Sequence, residues 1–222
     1  MTKLTLFHMP GACSRVVLNA LEEAGASFDD RPVNIMKGEQ RSPEMLAVNP
    51  KGKVPALAVE GRMLTENPAI LLYLHEQYPE AKLLPATDDA LDRATQRSDL
   101  IWISNSLHPL VRMILMPARV SSIDPDGVRL GASEQLERIA ATVEARLRSD
   151  RWWYDQEWSI IDVYLYWAFN TAAAGRFDLS PYPAILAHAE RVRSRPSFQR
   201  ALARERAAVD TGGMTLPRGA SL

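Results

Sequence analysis

The sequence predicts an α/β domain followed by an all-helical region. Three observations carry this. The first 78 or so residues alternate strand-like and helix-like patterns in the order β-α-β-α-β-β-α, the signature of an α/β layer. From residue 90 onward every periodic segment has helical spacing. Between them the stretch PEAKLLPATDD is aperiodic and proline-containing, so the expected division is 1–79, a linker over 80–89, and 90–222.

Taken in order, KLTLF (3–7) is a short apolar strand. CSRVVLNALEEAG (13–25) is a helix with Val16, Val17, Ala20, Leu21 and Ala24 on its apolar face and Gly25 just past its end. FDDRPVNI (28–35) is a second strand, and Pro32 implies an edge or an entry position. SPEMLAVN (42–49) is a short helix with Pro43 at its first position. VPALAV (54–59) and RMLT (62–65) form a hairpin around Glu60-Gly61. ENPAILLYLHEQYP (66–79) is a helix with Asn67 as N-cap and Pro68 at N1. Beyond the linker, residues 90–120 form a long helix that Pro109 kinks or splits. Residues 131–150 are amphipathic, and 159–175 are so apolar that a central, buried helix is expected. Residues 182–207 hold two helices split near Pro196, and the tail 210–222 is expected to fray.

Composition narrows the function. Among 222 residues, a net charge of −1 argues against a nucleic-acid partner, and no window is apolar enough for a membrane span. The N-terminal apolar run is too short for a signal-peptide core. One cysteine makes no internal disulfide, which points to a reducing, cytoplasmic setting. One Cys and four scattered His make a metal site unexpected.

Three stretches carry chemistry. Cys13 follows Pro10-Gly11-Ala12 and opens a helix beside Ser14. A thiolate there gains from the helix N-terminus, which equally suits a ligand's anion; the competing reading is a small buried residue in a first turn. In NPKGKVPAL (49–57), a cis Val54-Pro55 bond would present the backbone of Val54 to an extended peptide, whereas a trans bond would leave an ordinary loop. In LTENPAI (64–70), Glu66 suits an ammonium and the N–H groups near Asn67 suit a carboxylate; the alternative is a surface acid before an ordinary cap. Together the three suit a small, extended, thiol-bearing peptide with a free amine and a free carboxylate.

On these residues the chain resembles the cytosolic glutathione S-transferases, most of all the bacterial beta class. PGACS (10–14), AVNPKGKVPAL (47–57) and Ser159-x-x-Asp162 in WSIIDVYLYW (158–167) carry the resemblance most specifically, with LTENPAILLYL and SLH (106–108) beside them. It implies a thioredoxin-like N-terminal domain that binds glutathione as co-substrate, and a helical domain that contributes the pocket for a second substrate. It implies that Cys13 contacts the glutathione sulfur and that Val54 pairs with the cysteinyl unit before a cis Pro55. Glu66 and Asn67 would bind the γ-glutamyl end, Lys37 would lie near the glycine end, and Lys53 joins the binding set. His108 would reach toward the thiol from the helical domain, Ser14 would help activate it, and Ser159 and Asp162 would be structural. A homodimer is implied as well.

The chain also departs from the pattern. Asn67 replaces the serine of the family's Glu-Ser pair, and His8 stands where the second of paired tyrosines is found. Ile101 replaces an asparagine contributed by the partner subunit, and Gly38 follows Lys37 in place of a second lysine. The resemblance implies a transferase that conjugates the glutathione thiolate to a small apolar electrophile. Two alternatives remain: a glutathione-dependent disulfide or peroxide reductase using Cys13 as a monothiol, and a non-enzymatic binding protein of the same fold.

Overall fold

The computed structural model describes residues 2–149, 151–214 and 216. It divides into two units, one of residues 1–83 with 195–222 and the other of residues 84–194.

The first unit is built on a four-stranded sheet in the order β2-β1-β3-β4. Strand β1 (Leu4–His8) pairs in parallel with β2 (Asp29–Pro32) and antiparallel with β3 (Ala56–Val59). Strand β4 (Arg62–Thr65) completes the edge. Leu4, Leu6 and His8 alternate inward along β1, as a strand with one well-covered face requires. β2 is an edge strand, which tolerates Pro32 because an edge need not donate on both sides. Glu60 and Gly61 both have positive φ, 48° and 80°, the pairing that a two-residue turn matched to strand twist needs.

Helix α1 (Ser14–Glu23) joins β1 to β2. It is buried on every side from Ser14 to Glu22, including Arg15, Asn19 and Glu22, so its surroundings exceed the single apolar stripe read from sequence. The reason is α9 (Pro196–Gly212), the last helix, which packs on α1 in this unit. Helix α2 (Pro43–Val48) starts at Ser42, whose Oγ accepts from the Met45 N–H at 3.2 Å. Helix α3 (Asn67–Gln77) packs on α1. Its N-cap is Glu66 rather than the expected Asn67, because Glu66 turns into the positive-φ region and Asn67 already has a place in the first turn.

The second unit is helical. The expected kink at Pro109 is a π-helical turn over Ile103–Leu107 between α4 (Ala90–Trp102) and α5 (His108–Leu115), with Pro109 in the first turn of α5. The residues before it, through Leu107, already have helical backbone, so Pro109 removes a donor from a continuous helical run, and the wider π-helical turn is the local rearrangement at that point. Helix α6 (Pro125–Leu147) begins six residues before the amphipathic stretch, capped by Asp124. Helix α7 (Ile160–Ala174) is the core: every residue from Ile160 to Phe169 is buried. Helix α8 (Pro183–Ser194) packs on α6 and α7. No helix among the described residues is long and apolar enough to cross a membrane. The fraying expected of the tail lies mostly outside the described residues, although α9 reaches Gly212 and Met214 is buried.

Candidate functional site

The site in the first unit begins where β1 ends. Gly11 adopts φ 73°, which lets the chain reverse before α1. Ser14 is fully buried; its Oγ donates to the Met9 carbonyl and accepts from the Met9 N–H, both at 3.0 Å. Its one proton is therefore spent on the loop. Cys13 is half-buried and stands at the N-cap of α1 without a capping bond from its side chain. Its Sγ lies 3.8 Å from the Val54 carbonyl oxygen. The helix dipole favours the ionised form of a thiol at this end. His8 is fully buried and paired through Nε2 with Asp30 of β2.

Two further segments meet this loop. Asn49 Nδ2 donates to the Lys53 carbonyl at 2.8 Å and pins the loop that precedes Val54, and the Val54-Pro55 bond is cis. Asn67 Nδ2 donates to the Cys13 carbonyl at 3.2 Å. Cys13 thus joins both the Val54 loop and the start of α3. Glu66 holds φ 74° and accepts from Lys51 Nζ at 3.1 Å. Lys37 and Lys53 are exposed, and the Lys37 N–H closes a turn on Asn34.

Behind this loop stands a group that sequence reading missed. Glu205 of α9, fully buried, accepts from Arg15 Nη2 at 2.6 Å and Arg15 Nε at 2.9 Å through one oxygen. Its other oxygen accepts from the Gly11 N–H at 3.2 Å. Arg15 is 1 % exposed. A buried ion pair survives only when its geometry and remaining hydrogen bonds compensate desolvation, and here both do. Ala208, Val209 and Met214 add an apolar backing against Met9, Ala12 and Val54.

Residues 2–76 match the family model described as "Glutathione S-transferase, N-terminal domain". The chain is 32% identical over 204 residues to glutathione S-transferase GstA of Escherichia coli O157:H7, covering 91% of this chain and 98% of that one. The chain belongs to the glutathione S-transferase family.

Other members are similarly near. A maleylacetoacetate isomerase of Pseudomonas aeruginosa is 32% identical, covering 90% of this chain and 94% of its own. Two solved structures each cover 90% of this chain and 98% of their own. One is the bacterial beta class glutathione S-transferase of Sphingomonas chungbukensis, at 36% identity and TM-score 0.79. The other is a sphingomonad glutathione S-transferase complexed with glutathione, at 35% and 0.80. The thioredoxin-like and helical halves read from the sequence are those of this transferase family.

His108 lies in the helical unit. It opens α5 directly after the π-helical turn, half-buried, with Nδ1 at 2.9 Å from the Tyr164 hydroxyl and its ring edge-on to Trp167 at 4.4 Å between centroids. Arg15 and Lys51 join Glu205 among the residues missed. The available signal was slight, an arginine directly beside the apolar pair Val16-Val17, whose burial would demand a partner. Nothing local pointed to Glu205, 190 residues away.

Proposed function

We propose that this transferase binds glutathione at the Cys13–Val54–Asn67 junction and conjugates its thiolate to a small apolar electrophile. The observation that carries the reading is that junction: three loops far apart in sequence meet at one thiol-bearing helix start. Related enzymes solved with glutathione support it. On this reading residues 1–79 carry the glutathione site, with Cys13 beside the ligand's sulfur, Val54 along its cysteinyl unit before Pro55, and Glu66 and Asn67 at its γ-glutamyl end. Lys37 and Lys53 serve the glycine end. The helical residues 90–222 set the preference for the electrophile, and His108 acts on the substrate side. A cytoplasmic homodimer belongs to the same reading.

Activation is electrostatic. The bound thiol loses its proton beside the N-terminus of α1, and lowering its pKa by about two units requires roughly 2.7 kcal/mol, within reach of a helix dipole and a few hydrogen bonds. Ser14 contributes by fixing the loop, since its proton is held by Met9. The thiolate then forms a sulfur–carbon bond at an electron-poor carbon as the leaving group departs with the electron pair.

A second reading is favoured by the position of Cys13 itself. A lone thiol at a helix start suits a monothiol route: the Cys13 thiolate attacks the glutathione sulfur of a mixed-disulfide substrate and releases that substrate's thiol, and a second glutathione thiolate then attacks the Cys13–glutathione disulfide, freeing Cys13 and leaving as glutathione disulfide. Steady-state assays on wild type and Cys13→Ala decide between the two: conjugation of a chloro-nitroarene, and glutathione-dependent reduction of a mixed disulfide. The expected result is conjugation retained and disulfide reduction lost in the variant. Loss of both would make Cys13 essential to either reaction. Wild type that binds no glutathione would overturn the transferase reading. Because a near relative is named as an isomerase, glutathione-dependent cis–trans isomerisation of a maleyl compound belongs in the same panel.

A further inference from the structure

Lys51 comes from the loop that precedes Pro55, and its ammonium is not directed only to solvent. Nζ donates to Glu66 Oε1 at 3.1 Å and to Thr65 Oγ1 at 2.9 Å. The two charged side chains are 55% and 61% exposed, so the pair adds little to folding stability. It nevertheless fixes a cation beside an anion at the start of α3. Glu66 is held there in a backbone conformation rarely adopted outside glycine, φ 74°. Asn67, 5% exposed, is the next residue. One of the two N–H donors of its Nδ2 is committed to the Cys13 carbonyl, while its Oδ1 is buried with no hydrogen-bond partner. An unpartnered buried acceptor is costly unless something supplies a proton to it.

These groups are the complement of an amino-acid zwitterion. Glu66 and Asn67 Oδ1 accept from an ammonium. Lys51 and the positive end of the α3 dipole attract a carboxylate. An α-ammonium and an α-carboxylate sit on one carbon, so a protein cation and anion about 3 Å apart match them, each facing its opposite. We propose that Lys51 is a specificity residue, binding the α-carboxylate at the amino-acid end of the ligand while Glu66 and Asn67 take the α-ammonium. This rests on the reading of the site as a glutathione site. Lys51 selects for a ligand that ends in a free α-amino acid, and it discriminates against one that has only the amine.

The test compares two ligands on three proteins. Glutathione and γ-aminobutyryl-cysteinylglycine, which lacks the α-carboxylate, are titrated against wild type, Lys51→Met and Lys51→Arg, the second ligand by displacement of the first. Lys51→Met raises the Kd for glutathione about fivefold, leaves the Kd for the analogue unchanged, and Lys51→Arg stays within about twofold of wild type. Equal weakening of both ligands, no change for either, or tighter binding of glutathione by Lys51→Met overturns the proposal; in the last case Lys51 merely occupies Glu66 until the ligand arrives. These outcomes leave the glutathione reading intact. Wild type that binds neither ligand overturns that reading and the proposal with it.

Discussion

Helix α7 begins inside a closed hydrogen-bond box, whereas α1 begins at a thiol. At α7, Asp162 Oδ2 accepts from the Ser159 N–H at 2.9 Å, and Oδ1 accepts from the Trp153 N–H at 2.8 Å and pairs with His188 Nε2 at 2.9 Å. The partners are buried, and the carboxylate is saturated. At α1, Cys13 supplies no capping bond and the first turn holds no acid. The start of α1 is held from behind instead, by Glu205 on Arg15 and Gly11. A helix start that serves only the fold consumes its own polar groups. The start of α1 is braced by a side chain from elsewhere, and under the proposed function its electropositive end is kept for the ligand.

The comparison breaks most visibly at Glu205. Glu205→Ala leaves the guanidinium of Arg15 buried without its carboxylate, and about 3–5 kcal/mol of unfolding free energy is lost. Urea denaturation measures this. The paired change Arg15→Met with Glu205→Leu recovers most of the loss, because a buried ion pair exchanged for apolar side chains of similar volume is close to neutral. The Gly11 tether stays absent in that double variant, so its KM for glutathione remains raised severalfold while its stability returns. A double variant with wild-type KM would show that Glu205 supports the fold and not the loop.

Asp162 gives the next largest effect, of a different kind. Asp162→Ala removes one half of the capping box of α7 and orphans the buried Ser159 and Trp153 N–H groups, costing about 2–4 kcal/mol. Below the unfolding transition, the folded variant binds glutathione within about twofold of wild type. A large loss of affinity in protein shown by circular dichroism to be fully folded would contradict the division between a structural and a functional helix start.

The two starts also differ in how legible they were. Ser159 and Asp162 are three residues apart ahead of an apolar run, so a local rule finds them. The element order of the sheet unit and the meeting of Cys13 with Val54 and Asn67 were equally legible, because loop chemistry and the family pattern mark them. What stayed hidden depended on distance along the chain. Arg15 and Glu205 are 190 residues apart, and their meeting follows from α9 packing on α1. The break expected at Pro109 is present as the π-helical turn directly before His108, but its form, a widened turn in a continuous helical run, carried no signal in the sequence. Asn67 was read as a cap because its residue type favours one, but Glu66 took that position by adopting a positive φ that propensity does not foresee. Lys51 carried no signal beyond being one more lysine in a loop.

Trp153 sharpens the comparison on the smallest scale, since it donates its main-chain N–H to Asp162 and its indole N–H to Asp99, at 2.8 Å each. Asp99 also accepts from the Tyr154 hydroxyl at 2.8 Å and is only half-buried, so it is a looser version of the Asp162 arrangement. Burial first, and then the charge and hydrogen bond of Asp99, push the Tyr154 phenol above the ordinary tyrosine range near 10. The fold therefore favours the neutral phenol. Below about pH 10 both folded and unfolded chains keep the proton, and the contribution is constant. Above that, the unfolded chain releases a proton that the folded chain retains, and stability falls as pH rises. Tyr154→Phe loses about 1 kcal/mol at neutral pH with the hydrogen bond, and its stability declines less steeply between pH 10 and 11. The difference in slope is about 1 kcal/mol per pH unit or less, once solvent screening of this partly exposed group is allowed for. Parallel slopes for the two proteins would mean that the phenol at Asp99 is as free to ionise in the fold as out of it, and that a half-buried carboxylate in this unit imposes no order comparable with that of Asp162.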